Sequence, residues 1–229
     1  INRNEDIDKI MLDIINYAIE HKANHFVFGG DWNMSSKPSV ESLKMLMNWW
    51  HKLNEAKIYT SWLIGNHDVI YERGKRHNLD HLIDLTNTHF KSINIIDDVQ
   101  FEYNDLIKVG FLYLPYIAKS RIVDFGYNCT LEEYILMKYN EIIFPENMVT
   151  CIVFSHLDFE GATQGSESTM IKGKKIDLPK EIVNDKKIKY IINGHYSYQE
   201  SGKIICPGTF ESHNFGERLD EKRFLEIIY

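Results

Sequence analysis

The sequence predicts an α/β fold built in layers, a layered α/β domain or an αββα sandwich. Short apolar runs that read as strands alternate with segments of helical periodicity along the chain. Four of those runs stop abruptly in residues able to bind a ligand. With 229 residues, 44% hydrophobic and 26% charged, the chain suffices for one such domain with a full core and does not require two.

The elements follow in order. Ile7, Ile10, Met11, Ile14, Ile15, Ala18 and Ile19 recur at helical spacing and predict an amphipathic helix from Asp6 to Glu20. "HFVFGGD" (His25 to Asp31) reads as a short buried strand. Ser39, with Pro38 just ahead of it, opens a helix carried by Val40, Leu43, Leu46 and Met47 to about Leu53. "IYTSWLIGNHD" is the next strand and "NLDHLIDLTN" (Asn78 to Asn87) a short helix. "SINIIDD", "VQFEYND" and "IKVGFLYLPY" follow as strands, the last two joined by a tight turn.

"LEEYILMKYNEII" (Leu131 to Ile143) is helical and "VTCIVFSH" (Val149 to His156) a strand. The polar stretch from Asp158 to Lys175 breaks the pattern and is long enough to be functional or mobile. "PKEIVND" predicts a short helix, and "KYIINGH", "KIICPGT" and a final "RFLEIIY" predict strands. No repeat, low-complexity tract or linker interrupts the chain.

Composition excludes several classes. No apolar run approaches the length of a membrane span, and the polar, acidic "INRNEDID" is unlike a signal peptide. Cys129, Cys151 and Cys206 have no metal-type spacing and read as reduced thiols, which predicts a cytoplasmic protein. A net charge of −7 argues against a general polyanion binder. "RGKR" (Arg73 to Arg76) and "KGKK" (Lys172 to Lys175) are local basic exceptions whose ordinary reading is solvated loop charge. There is no phosphate loop, H-E-x-x-H or G-x-S-x-G. "NWWHKL" could stack on bases, but Trp49 and Trp50 at helical spacing read first as core.

The chemistry gathers where strands end. Asp31 follows "FVFGG", Asn66, His67 and Asp68 follow "SWLIG", His156 follows "CIVFS", and His195 follows "YIING". Each apolar run leads a polar side chain to the edge of the core, where open α/β sheets bind ligands. A lone terminal His is more often a satisfied hydrogen bonder. Four endings offering Asp, Asn, His and His form a mixed oxygen and nitrogen set suited to manganese, iron or zinc. With no Cys among them, a structural zinc site is disfavoured.

"GGD", "GNHD", "SH" and "GH" in this order resemble the calcineurin-like metallophosphoesterases. "GGDWNMSSKPSVESL", "SHLDFEGATQGSES" and "PGTFESHNFGE" are similar to stretches of the SbcD-type DNA repair nucleases, and "GNHDVIYERGKRH" is most like the phage recombination endonuclease subunits. The resemblance covers nearly the whole chain and implies a four-layer αββα sandwich over residues 1–229, with no capping domain seen. It implies a metal-dependent DNA nuclease, exonuclease or endonuclease, acting in recombination or double-strand-break repair. Manganese is the implied cofactor, as one or two ions. DNA and an SbcC-type coiled-coil ATPase are the implied partners, with a second copy of the chain a further candidate and no membrane. The setting is the host cytoplasm if the protein is phage-encoded.

By that resemblance Asp31 bridges two metals, and Asn66, His156 and His195 complete the second metal's shell. His67 is not a ligand; it contacts the phosphate and protonates the leaving 3′ oxygen as a general acid. Asp68 either orients His67 or caps the following turn.

Two features depart from the pattern. The Asp-x-His of a first strand is not in this sequence, and "INRNEDIDKI" begins where the following helix should begin. The expectation is a strand ahead of Ile1, since its absence would leave a raw sheet edge. The chain also reads "GHYSYQE", with Ser197 where the family has a second His. Both gaps concern the first metal, and a hydroxyl replaces imidazole poorly there. The alternatives are therefore a degenerate, mono-metal or non-catalytic relative that binds DNA or a partner, and a small-substrate phosphodiesterase.

Overall fold

Apolar residues at helical spacing form α1 (Arg3–Glu20), which buries Met11 and Ile15. Then come β1 (His25–Phe28), α2 (Val40–Glu55) and β2 (Tyr59–Leu63). Ser39 starts α2 as expected, its hydroxyl accepting the Ser42 N–H at 3.0 Å. The hairpin β3 (Val69–Ile70) and β4 (Arg76–His77) leads through a 3-10 turn at Asp80–Leu82 into α3 (Ile83–Thr88). The strands β5 (Ile93–Ile96), β6 (Gln100–Asn104) and β7 (Val109–Leu114) follow. Next are α4 (Lys119–Asp124), α5 (Leu131–Asn140) and β8 (Thr150–Ser155). A small hairpin of β9 (Thr163–Gln164) and β10 (Ser168–Thr169) precedes α6 (Lys180–Asn184), β11 (Ile188–Asn193), β12 (Gln199–Ser201) and β13 (Ile204–Cys206). The computed structural model describes residues 3–33, 35–70, 76–164, 168–169, 176–208 and 223–228.

These strands make an α/β fold with two main sheets. One is all parallel in the order β1-β2-β5. The other runs β12-β13-β11-β8-β7-β6, with β13, β11, β8 and β7 parallel and the edge strands β6 and β12 antiparallel to their neighbours. Helices cross between the parallel neighbours β1 and β2, and between β7 and β8, as parallel pairing requires.

The period-2 alternation of the strands decides what packs where. In β7 and β8, Leu112, Leu114, Cys151 and Val153 face a cluster with Ile122, Tyr134, Ile135 and Ile182 of α4, α5 and α6. Their alternates Val109, Tyr113, Ile152 and Phe154 meet Leu63 and Ile96 of the other sheet. Trp62 and Ile95, which alternate with Leu63 and Ile96, instead meet Met11, Ile15, Trp49 and Trp50 of α1 and α2. Ile188 and Ile191 share the helix-facing cluster despite odd spacing because the pairing of β11 with β8 shifts register between Ile188 and Tyr190.

The structure departs from the sequence reading at several elements. α4 and β12 were not expected, and α5 ends at Asn140, short of Ile143. Residues 223–228, expected as a last strand, carry no strand. Side chains hold them instead: the Arg223 guanidinium lies 3.6 Å over the Tyr198 ring, Phe224 meets the Tyr17 ring edge-on at 5.0 Å, and the Tyr17 hydroxyl donates to Glu226. Trp49 and Trp50 are buried, and the Trp49 indole donates to Asp8 at 2.7 Å, so neither is placed to stack on bases. The cluster Lys172 to Lys175, Arg73 to Lys75 of the other cluster, and most of "PGTFESHNFGE" lie outside the described residues. No described helix is long and apolar enough to cross a membrane.

Candidate metal centre

Asp31 and Asn66 follow β1 and β2 of the parallel sheet, while His156 and His195 follow β8 and β11 of the mixed sheet. Because the sheets lie face to face, the carboxyl ends of these four strands meet at one edge of the molecule. His156 Nε2 lies 3.0 Å from Asp31 Oδ2, 3.1 Å from Asn66 Oδ1 and 3.1 Å from His195 Nδ1. Asp31, His156 and His195 form a group whose ligand atoms all lie within 4.8 Å of one another.

Each imidazole has its outward nitrogen already engaged. His156 Nδ1 is 2.7 Å from the Gly29 carbonyl oxygen, which can only accept, so this nitrogen carries the proton. His195 Nε2 lies 3.2 Å from Asp158 Oδ1, so a proton on this nitrogen would face that carboxylate. With the His156 proton on Nδ1, its Nε2 presents a lone pair to two oxygens and to His195 Nδ1. A proton on His195 Nδ1 relieves one contact, whereas a cation among the four relieves all. The four donors stand close enough together that one divalent ion would be within reach of all of them. The residues fit a divalent metal, and the N/O set suits a transition metal without choosing one.

The local backbone explains why these side chains point inward. Asp31 has a φ of 57°, a left-handed conformation costly for a non-glycine residue. It is held there by the buried Asp68, whose Oδ2 accepts the N–H groups of Asp31 and Gly65, each at 2.9 Å. Asp31 Oδ1 accepts the His67 N–H at 2.8 Å. Gly65 must be glycine because a Cβ there would overlap the Asp31 carboxylate. Asp68 is thus a clasp between the two turns.

Electrostatics follow from burial and pairing. Burial pushes the Asp31 carboxyl up, but the His156 imidazole and the His67 N–H outweigh it and hold Asp31 below the usual carboxylate range. Burial opposes charge on His156, yet contact with Asp31 raises it above the ordinary imidazole value. Asp68, buried and close to Asp31, is pushed up to about 7.

The structure therefore brings together Asp31, Asn66, His156 and His195. His67 is exposed beside them, its backbone rather than its ring bonded to Asp31. Sequence reasoning missed Asp158. Its signal was the carboxylate two positions after His156 in "SHLD", read only as the start of a polar stretch.

No family model and no curated protein matches this chain. One solved crystal structure aligns over 87% of this chain and 85% of its own at 12% identity, with a TM-score of 0.56. TT1561 of Thermus thermophilus aligns over 87% and 83% at 12% identity, with a TM-score of 0.47. At such identity, the first likeness shows a shared fold and nothing of the chemistry.

Proposed function

We propose that this chain is a metal-dependent phosphodiesterase of the calcineurin-like metallophosphoesterase type, a DNA nuclease core of the SbcD kind. The observation that carries the reading is the convergence of Asp31, Asn66, His156 and His195 from four strand ends, with His156 Nδ1 donating to Gly29 so that its Nε2 faces the other donors. The three apolar clusters, helices on sheet, sheet on sheet and sheet on helices, support the four-layer αββα arrangement. DNA, manganese and an SbcC-type ATPase enter from the sequence resemblance.

In this reading Asp31, Asn66, His156 and His195 hold the ion. When bound, it supplies Lewis acidity, offsetting charge on phosphoryl oxygens and making a nucleophilic water accessible near neutral pH. Asp68 and Gly65 keep Asp31 aimed. His67 holds a proton at its exposed ring for the leaving 3′ oxygen.

Two measurements test this together: Mn2+ titration calorimetry, and cleavage of linear DNA compared with a small chromogenic phosphodiester. The expected result is Mn2+ binding and preferential DNA cleavage. In His67→Ala, cleavage falls about a hundredfold or more while Mn2+ binding stays near the wild-type value. Unchanged cleavage in that variant excludes His67 as the acid.

Ser197, standing at the position of the family's second histidine, favours a second reading, a mono-metal relative that binds DNA without cutting it. Anomalous scattering from manganese-soaked crystals separates the two. Two ions about 3.5–4 Å apart favour the nuclease, whereas one ion and no DNA cleavage favour the relative.

A further inference from the structure

We propose that Asp158 is a positioning residue that fixes which nitrogen His195 turns toward the metal centre, with Tyr196 steadying the same carboxylate oxygen. The inference rests on the metal-binding reading above and assigns a residue outside the donor set.

Asp158 sits in the loop after β8, whereas His195 follows β11, so neither neighbours the other in sequence. They meet because the two loops are tied at several points. Asn193 Nδ2 donates to the Leu157 carbonyl at 2.8 Å, and Asn193 Oδ1 accepts the His195 N–H at 2.9 Å. The Asp158 carbonyl accepts the N–H groups of Asp177 and Leu178 at 3.0 and 2.9 Å, which pins its backbone. Its Oδ1 accepts the Tyr196 hydroxyl and lies 3.2 Å from His195 Nε2. The Tyr196 ring stands edge-on to the rings of Phe159 and His195, which leaves its hydroxyl little room to move.

The chemical consequence is a choice of tautomer. A neutral imidazole carries one proton, and a carboxylate at Nε2 accepts it there and leaves Nδ1 as the acceptor. Without that carboxylate, either nitrogen can hold the proton and the ring can turn about its Cβ–Cγ bond. Tyr196, as a second donor on the same oxygen, restrains the carboxylate from rotating away. A purely structural Asp158 would serve Tyr196 and the loop equally well and leave the tautomer of His195 indifferent.

The test combines imidazole 15N shifts of the metal-free protein with Mn2+ titration calorimetry. Wild-type His195 should be the Nε2–H tautomer. In Asp158→Asn the two tautomers should mix, and Mn2+ affinity should fall roughly 10- to 100-fold. Tyr196→Phe should keep the Nε2–H tautomer and lose less affinity than Asp158→Asn. An Nδ1–H tautomer in the wild type overturns the proposal even if the Asp158 variant fails to fold. So does wild-type tautomer and affinity in a folded Asp158→Asn protein. If the wild type takes up no Mn2+, the metal reading fails while the 15N result still decides the role of Asp158.

Discussion

At the scale of single residues, the turns of the donor cluster leave no spare volume. Gly65 passes so close to Asp31 that any side chain there must displace the carboxylate or the Asp31 backbone. Gly65→Ala should therefore weaken Mn2+ binding strongly and cost about 1–3 kcal/mol of stability, read from calorimetric titration and urea unfolding. Wild-type affinity in that variant would show that Asp31 can relocate without loss. The donors were legible because each polar side chain ends an apolar run, a pattern local to a few residues. Asp68 was legible only as two alternatives, orienter or cap. Its carboxylate answers to backbone N–H groups at Asp31 and Gly65, and the Asp31 partner is 37 positions away. Asp158 was not read at all, since its meaning comes from a histidine on another strand.

At the scale of elements, local signals served best where they were complete. α5 starts with a full capping box: the Thr130 hydroxyl accepts the Glu133 N–H, and the Glu133 carboxylate accepts the Thr130 N–H at 2.7 Å. Thr130→Ala should cost about 1 kcal/mol in urea unfolding and leave Mn2+ affinity unchanged, because α5 packs on the face of the mixed sheet turned away from the other sheet. A shift in metal affinity would mean that this helix couples to the site. α4 escaped notice because six residues with one buried side chain, Ile122, give no readable period. The segment at 223–228 misled in the opposite way. Its run of apolar residues reads as a strand, but pairing needs a neighbour, and contacts to the rings of Tyr17 and Tyr198 hold it in another role.

At the scale of the whole molecule, the layer between the two sheets is not purely apolar. His25 of β1 lies 2.9 Å from the Ser61 hydroxyl and 3.5 Å from that of Tyr113, with Glu102 beyond it accepting from Tyr113 and Tyr59. Aromatic rings of Tyr59, Phe111 and Phe154 surround the imidazole, and burial lowers it to about 4. The unfolded chain takes up that proton near 6.5, so the unfolded state gains protons first as the pH falls. The folded state keeps its full advantage above about 6.5 and loses it progressively toward pH 4, at about 1.4 kcal/mol per unit of pKa separation. Between about pH 7 and about pH 4.5, His25→Gln should lose roughly 2–3 kcal/mol less stability than the wild type in urea unfolding. Identical pH dependence in both proteins would sink this account of His25.

What the sequence by itself determined is most of the elements and the polar residues at the strand ends. Periodicity and abrupt apolar-to-polar boundaries are properties of neighbouring residues, and they mark Asp31, Asn66, His156 and His195 without a structure. Tertiary structure alone decided that two separate sheets turn the same ends together and that the two imidazoles meet, His195 Nδ1 lying 3.1 Å from His156 Nε2. It also made Asp158 the partner of His195. Those outcomes depend on distances between residues far apart in the chain, which only the packing of one sheet on the other can set.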